Sequence, residues 1–292
     1  MLPVLLDFKF IKIYTFGIFL VLAFFWGSFL LWRIIRLTSQ KEDLIFDGLF
    51  LSITGGLFVS RVVYVALNFE KFGFDILKFI LINGYPGLSL YGALIGAFIS
   101  LYVFFLLKKI NFRDVADYFI TPLFIALTFG KLGSFFSGSE IGSKTKFPIA
   151  LKYFGYDGFR HLTPLYEAIF FCLGAYISYK LIFEVRRERF RKGFVFYFFC
   201  WYFALIYILF DKIKANPLYL IPFKSGQAGF SFNFILSGVI LLIVSVYFLI
   251  NFRSSLLAYG KIAYKKITKR FAGSFGDRSK KSAKTDRGIA KK

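Results

Sequence analysis

Histidine occurs once in the 292 residues, as His161, and cysteine only twice, as Cys172 and Cys200. A single imidazole excludes a multi-histidine metal site. Both cysteines lie inside apolar runs, where a free thiol behaves as a small hydrophobe, so neither a disulfide framework nor a thiolate metal site is supported. No metal and no cofactor are expected. Acidic residues are scarce as well: 16 Asp and Glu stand against 38 Lys and Arg, a net charge of +22. No internal repeat of the kind found in inverted-repeat transporters is visible, and low-complexity sequence is confined to the C-terminal tail.

What the chain has in excess is apolar surface. Hydrophobic residues make up 58% of it, aromatic residues 22%, and phenylalanine alone accounts for 44 positions. Soluble domains are typically about 45–50% apolar, and the mean hydropathy here is +0.65. Surface of that character has nowhere to hide in water, so hydrocarbon is the expected solvent. A spanning helix needs roughly 20 mostly apolar residues. Seven segments qualify: 13–32, 45–67, 88–107, 115–136, 164–183, 194–211 and 233–251. The first is too long, and wrongly flanked, for a cleaved signal peptide. The expected fold is an all-α polytopic membrane protein of seven transmembrane helices.

The intervening segments alternate in character. Arg33, Arg36 and Lys41 follow the first span, Lys108, Lys109 and Arg113 the third, and Arg186, Arg187, Arg189, Arg191 and Lys192 the fifth. The tail, residues 253–292, holds 13 Lys and Arg against 2 Asp and Glu, half of the net charge. All four basic clusters then fall on one side, which the positive-inside rule makes the cytoplasm, with the N-terminus outside. The gaps 68–87, 137–163 and 212–232 are richer in Gly, Pro, Tyr and Phe and are expected to build a small extracytoplasmic cap of loops and short helices. The expected organisation is a membrane domain over 1–252, cap included, and a partly disordered basic tail over 253–292. In that tail Leu256, Leu257, Tyr259, Ile262 and Tyr264 have the pattern of a short interfacial helix. Nucleic-acid binding is not expected, for want of an accompanying fold.

Ionisable side chains inside spans are expensive and usually functional. Arg61 lies in the second span behind Gly55 and Gly56, and Lys131 late in the fourth between Gly130 and Gly133. Glu167 opens the fifth span and Asp211 closes the sixth. Two cations flanked by small residues suit an anionic lipid phosphate. An ion pair such as Arg61 with Glu167, or snorkelling to an interface, would look the same in sequence.

At these residues the chain resembles the prolipoprotein diacylglyceryl transferases, bacterial membrane enzymes that lipidate the lipobox cysteine of prolipoproteins. Ile11-Lys12-Ile13-Tyr14 is similar to the family's aromatic entry to the first span, and Ser60-Arg61-Val62-Val63-Tyr64-Val65 to its Gly/Ala-Arg-x-x-Tyr-Val element. Gly87 to Gly96 resembles its G-x-S-x-H-G-G-x-I-G run. The stretch from Asp117 to Gly142 resembles the one leading through G-R-x-G-N-F to N-G-E and a final Gly. Arg160 to Ala168 resembles R-H-P-x-x-L-Y-E-A. Departures accompany the match. Tyr91 stands where the family has His, Lys131 where it has its central Arg, and Ser134 and Ser137 where it has Asn. The acid comes one place later, as Glu140, and Tyr207 stands for an Arg four residues before Asp211.

The resemblance implies transfer of the diacylglyceryl group of phosphatidylglycerol to a cysteine thiol, making a thioether and releasing glycerol phosphate. The partners it implies are phosphatidylglycerol, the signal peptide carrying the lipobox cysteine, and membrane lipids, in the bacterial cytoplasmic (inner) membrane. It places Tyr91, Lys131, Glu140 and Tyr207 at the chemistry, and Arg61, Lys131, Ser134 and Gly142 at the lipid phosphate. Tyr14, His161, Tyr166, Glu167 and Asp211 are expected to support them. Tyr91, with an ordinary pKa of about 10, is a poor base but can hydrogen-bond an oxygen. His161 is a candidate base, or a link between the cap and the fifth span. Because of the replaced residues, a non-catalytic lipid- or signal-peptide-binding relative is the alternative, and a small-solute transporter a third.

Overall fold

The computed structural model describes residues 4–8, 11–38, 40–81, 84–153, 155–215, 219–221 and 230–251, together with 253, 254, 257, 260 and 261. Met1–Val244 forms one compact unit and Ser245–Lys292 a second. Most of the expected tail, including Leu256, Tyr259, Ile262 and Tyr264, lies outside the described residues.

Among the described residues seven helices are long and apolar enough to cross a membrane: α1 Thr15–Ile35, α2 Glu42–Leu67, α5 Leu90–Leu107, α6 Phe112–Ser137, α7 Thr163–Arg186, α8 Phe194–Asp211 and α9 Phe232–Asn251. Two short helices, α3 Phe69–Phe72 and α4 Ile76–Ile80, lie between α2 and α5. Outward faces carry large apolar side chains such as Val21, Phe25, Leu107 and Ile250, all exposed, as a helix facing hydrocarbon requires. The chain is therefore an all-α polytopic membrane protein.

The segments between and before the spans carry strand pairs besides the expected loops and short helices. β1 (Val4–Phe8) pairs antiparallel with β2 (Ile11–Tyr14), β3 (Ala150–Lys152) with β4 (Phe159–His161), and β5 (Tyr219–Ile221) with β6 (Phe230–Ser231). Connections this long cannot leave their backbone groups unpaired near a membrane, and hairpin pairing is the local way to satisfy them.

Small residues set the helix packing. A Cβ on Gly96 of α5 would stand 2.5 Å from the Val59 side chain and 2.6 Å from the Gly55 carbonyl oxygen, so α2 and α5 approach backbone to backbone. On the other side, α6 is the central helix, packed between α1 and α7, with α8 against α7. Thr121 of α6 and Ser178 of α7 share a buried 2.9 Å hydrogen bond. Asp117 of α6 accepts from the backbone N–H groups of Gly193 at 2.8 Å and Phe196 at 2.9 Å, capping the start of α8. The α2–α5 pair meets α1 and α6 through a buried apolar cluster of Leu31, Ile35, Ile45, Leu101, Phe105, Val115 and Phe119. An apolar crevice of about 170 Å³ lies there, between Ala23 and Gly27, Ser52, Leu94 and Ala97, and Ala126.

Candidate functional site

Where α6 ends and α7 begins, the chain gathers two ammonium groups and two carboxylates. Lys131 sits in the penultimate turn of α6, with its side chain 6% exposed. Its Nζ donates to Glu140 Oε1 at 2.8 Å and Oε2 at 2.6 Å, and lies 2.6 Å from Glu167 Oε2. Glu167, in the first turns of α7, is fully buried. Its second oxygen lies 2.6 Å from Nζ of Lys214. The Glu167 contacts are close charge pairs without aligned hydrogen bonds. Unpaired, a buried carboxylate would cost several kcal/mol, so the two cations are what permits it. Tyr207 of α8 puts its ring beneath both, 4.2 Å from Lys214 Nζ and 6.0 Å from Lys131 Nζ.

Glu140 reaches this place because α6 stops sharply. Gly138 adopts a left-handed conformation (φ 71°) at the C-cap, and the chain folds back so that Glu140 faces the turn it has just left. Ser134 Oγ completes the contact, donating to Glu140 Oε1 at 3.4 Å. Burial opposes the charge of Glu140, but the ammonium groups of Lys131 and Lys214 outweigh it, and the carboxyl titrates below its ordinary range. Its side chain remains 41% exposed, at the edge of a pocket of about 300 Å³. Leu90, Lys131, Glu140, Thr163, Tyr207 and Lys214 are among the residues that line it.

Lys214 has no counterpart among the residues singled out from the sequence. It lies just beyond α8, in a segment read as cap loop. The signal was present: positions 207, 211 and 214 follow the i, i+4, i+7 spacing of one helix face. Its backbone is clamped by an antiparallel bridge to Gly142, flanked by Ser143 N–H donating to Ile213 O at 2.8 Å and Ala215 N–H to Ile141 O at 2.9 Å. Gly142 is buried, and any Cβ there would stand 2.3 Å from the His161 carbonyl oxygen and 2.7 Å from Thr163 Oγ1. Its missing side chain makes room for His161 and Thr163, while its backbone bridges that of Lys214.

The remaining expected residues are spread around this pocket. Arg61, buried in α2, donates from Nε to Phe79 O at 2.9 Å, from Nη1 to Tyr85 O at 2.8 Å and Gly87 O at 2.9 Å, and from Nη2 to Lys78 O at 2.7 Å. Four of its five N–H donors are thus spent on carbonyls of the segment between α3 and α5, and no ion pair to Glu167 forms. Tyr91 of α5 is buried behind the pocket, its hydroxyl hydrogen-bonded to Ser237 of α9 and its ring 5.2 Å from that of Tyr207. Asp211 accepts from Ser231 Oγ at 3.1 Å. The His161 ring stands between those of Phe147 and Tyr166, and Tyr166 donates to Ile149 O at 2.6 Å, tying the β3–β4 hairpin to α7. Tyr14 is exposed at the start of α1, paired with Val4. Among the described residues no group of three or more His, Cys, Asp or Glu side chains could hold a metal ion.

The family model described as prolipoprotein diacylglyceryl transferase matches residues 3–244. Among the relatives, the phosphatidylglycerol–prolipoprotein diacylglyceryl transferase of Clostridium novyi is 27% identical over 252 residues, covering 83% of this chain and 95% of that protein. The one from Clostridioides difficile is 26% identical over 218 residues, covering 74% and 85%. Finegoldia magna has another, 25% identical over 233 residues, with 79% and 90% covered. The match spans all but the first two residues of the first compact unit and every residue of the charged pocket, so the chain belongs to the prolipoprotein diacylglyceryl transferase family.

Proposed function

We propose that this protein transfers the diacylglyceryl group of phosphatidylglycerol to the lipobox cysteine of a prolipoprotein, releasing glycerol phosphate. The observation that carries the reading is the pocket lined by Lys131, Glu140 and Lys214, with Glu167 buried behind both lysines, directly beside membrane-embedded apolar surface. A phospholipid needs both environments at once. The apolar crevice begins at Leu94 and Ala126, four and five residues from Leu90 and Lys131 of the pocket on the same two helices. At a rise of 1.5 Å per residue that is about one helical turn or a little more. A headgroup at the charged end and an acyl chain toward the crevice fit that separation.

The chemistry asks for little covalent help. A thiol with an ordinary pKa of about 8.5 is a few per cent thiolate at neutral pH and strongly nucleophilic. What the site supplies is preorganised positive charge where the phosphate departs, in a partly dry place where such charge counts. Glu140, at the pocket edge, is placed to accept from a glycerol hydroxyl. Tyr91, with its hydroxyl on Ser237, and Arg61, with its guanidinium on loop carbonyls, act as supports of the pocket walls.

The basic segments after α1, α5 and α7 lie at the helix ends opposite the pocket. With those segments cytoplasmic, the pocket faces the outer side of the inner membrane, where a signal peptide emerges. The test is a transfer assay with purified protein, phosphatidylglycerol and a lipobox peptide. The expected result is a cysteine-dependent mass gain of one diacylglyceryl group with release of glycerol phosphate, abolished in Lys131→Ala. Folded, lipid-binding protein that gives no gain would favour the second reading, a lipid-binding relative without the reaction. The observation behind that alternative is that Lys131 is already neutralised by two carboxylates.

A further inference from the structure

Two cations line the pocket, and they are not equivalent. Three carboxylate oxygens surround Lys131 Nζ at 2.6–2.8 Å. Its positive charge is thus shared between two carboxylates, Glu140 by hydrogen bonds and Glu167 by a close charge pair, before any anion arrives. Lys214 Nζ has one carboxylate oxygen, Glu167 Oε1 at 2.6 Å, and rests on the face of Tyr207. Its side chain is 14% exposed against 6% for Lys131, and it lines the same pocket. Glu167 is the one carboxylate within 4 Å of Lys214 Nζ among the described residues, so Lys214 carries the less neutralised charge of the two. The backbone clamp at Gly142 holds the Lys214 main chain beside the pocket before any substrate arrives.

We propose that Lys214 is the catalytic residue that holds the phosphate as it departs, while Lys131 is a positioning residue that keeps Glu140 and Glu167 in place. This rests on the transfer reaction proposed above. In that reaction the thiol sulfur forms a bond to the glyceryl CH₂ and the bond from that carbon to the phosphate oxygen breaks. The electron pair stays on the oxygen, and the thiol proton is lost to water through the pocket mouth. Charge on the phosphate therefore grows from one toward two during the step. A donor fixed at that oxygen gains strength as the charge develops, whereas a cation already shared between two carboxylates does not.

The experiment measures transfer kinetics and, separately, the affinity of full-length protein in detergent for sn-glycerol phosphate, the released product. Lys214→Gln preserves the stem and the strand bridge. It is expected to lower kcat/KM by about 10²-fold, the typical loss of one such donor, and to weaken glycerol phosphate binding at least tenfold. Lys214→Arg is expected to recover most of both. Lys131→Gln is expected to lower the unfolding midpoint and the rate while leaving glycerol phosphate affinity within about threefold. Wild-type transfer with an unaffected Lys214→Gln overturns the assignment and leaves the transferase reading intact. So does loss of glycerol phosphate binding in Lys131→Gln but not in Lys214→Gln. A wild-type protein that performs no transfer overturns both.

Discussion

Replacing Glu167 by Gln removes one negative charge and almost no volume from the most enclosed position in the charged pocket. The carboxylate is fully buried and stands 2.6 Å from each of two ammonium groups. Lys131 keeps Glu140 in the variant, but Lys214 loses its only carboxylate partner within 4 Å among the described residues. The dominant loss is thus one uncompensated, mostly buried cation. Removing one partner of a buried pair costs about 3–5 kcal/mol, and the second contact adds less because Glu140 remains. The assay is equilibrium unfolding in mixed detergent micelles. Glu167→Gln with Lys214→Gln restores the charge balance, and residues in direct contact couple by about 0.5–3 kcal/mol. The double variant should therefore be more stable than the sum of the two single losses predicts. A Glu167→Gln protein within about 0.5 kcal/mol of wild type, or strict additivity, would refute the view that the two lysines share this carboxylate.

Gly142→Ala should destabilise by about 1–3 kcal/mol, the usual cost of overpacking, because the new methyl would lie 2.3 Å from the His161 carbonyl and 2.7 Å from Thr163 Oγ1; the same variant should lose transfer activity as the start of α7, which carries Glu167, is displaced, and normal values of both would contradict the close packing. Arg61→Lys keeps the charge but not the fork that reaches Lys78, Phe79, Tyr85 and Gly87; about 1.5–3 kcal/mol per lost charged hydrogen bond is expected, read as lower thermal stability and faster proteolysis between residues 76 and 87. Asp117→Asn weakens the cap on α8 and should cost about 0.5–2 kcal/mol in unfolding experiments. The carboxyl of Glu140 titrates below its ordinary value of 4.5, so its ion pairs add stability at every pH above that value and lose it as pH falls through the depressed one. The stability difference between wild type and Glu140→Gln should then be flat from pH 5 to 7 and shrink below about pH 4.5; a difference that grew on acidification would contradict the sign.

The sequence by itself determined the seven spans and the side on which basic residues collect. Both follow from short-range physics, since a helix in hydrocarbon must be about 20 apolar residues long whatever it packs against. The third apolar run, 88–107, became α5 over Leu90–Leu107, and the sixth, 194–211, became α8 over Phe194–Asp211. The resemblance, carried by short ordered motifs, led to the family and to Lys131, Glu140 and Glu167 as residues worth watching. Only the tertiary structure decided how they pair. Arg61 and Lys131 look alike in sequence, each a cation among glycines. Yet one is consumed by loop carbonyls and the other by two carboxylates, because donors take whichever acceptors the fold brings within 3 Å. Lys214 carried one signal in sequence, its place on the helix face of Tyr207 and Asp211, and none that named its partner. It became part of the site because its backbone bridges that of Gly142, 72 positions earlier, where His161 and Thr163 pack too closely for any side chain. A pairing between residues so far apart leaves no periodicity in either segment, and it exists only once α6, α7 and α8 have packed.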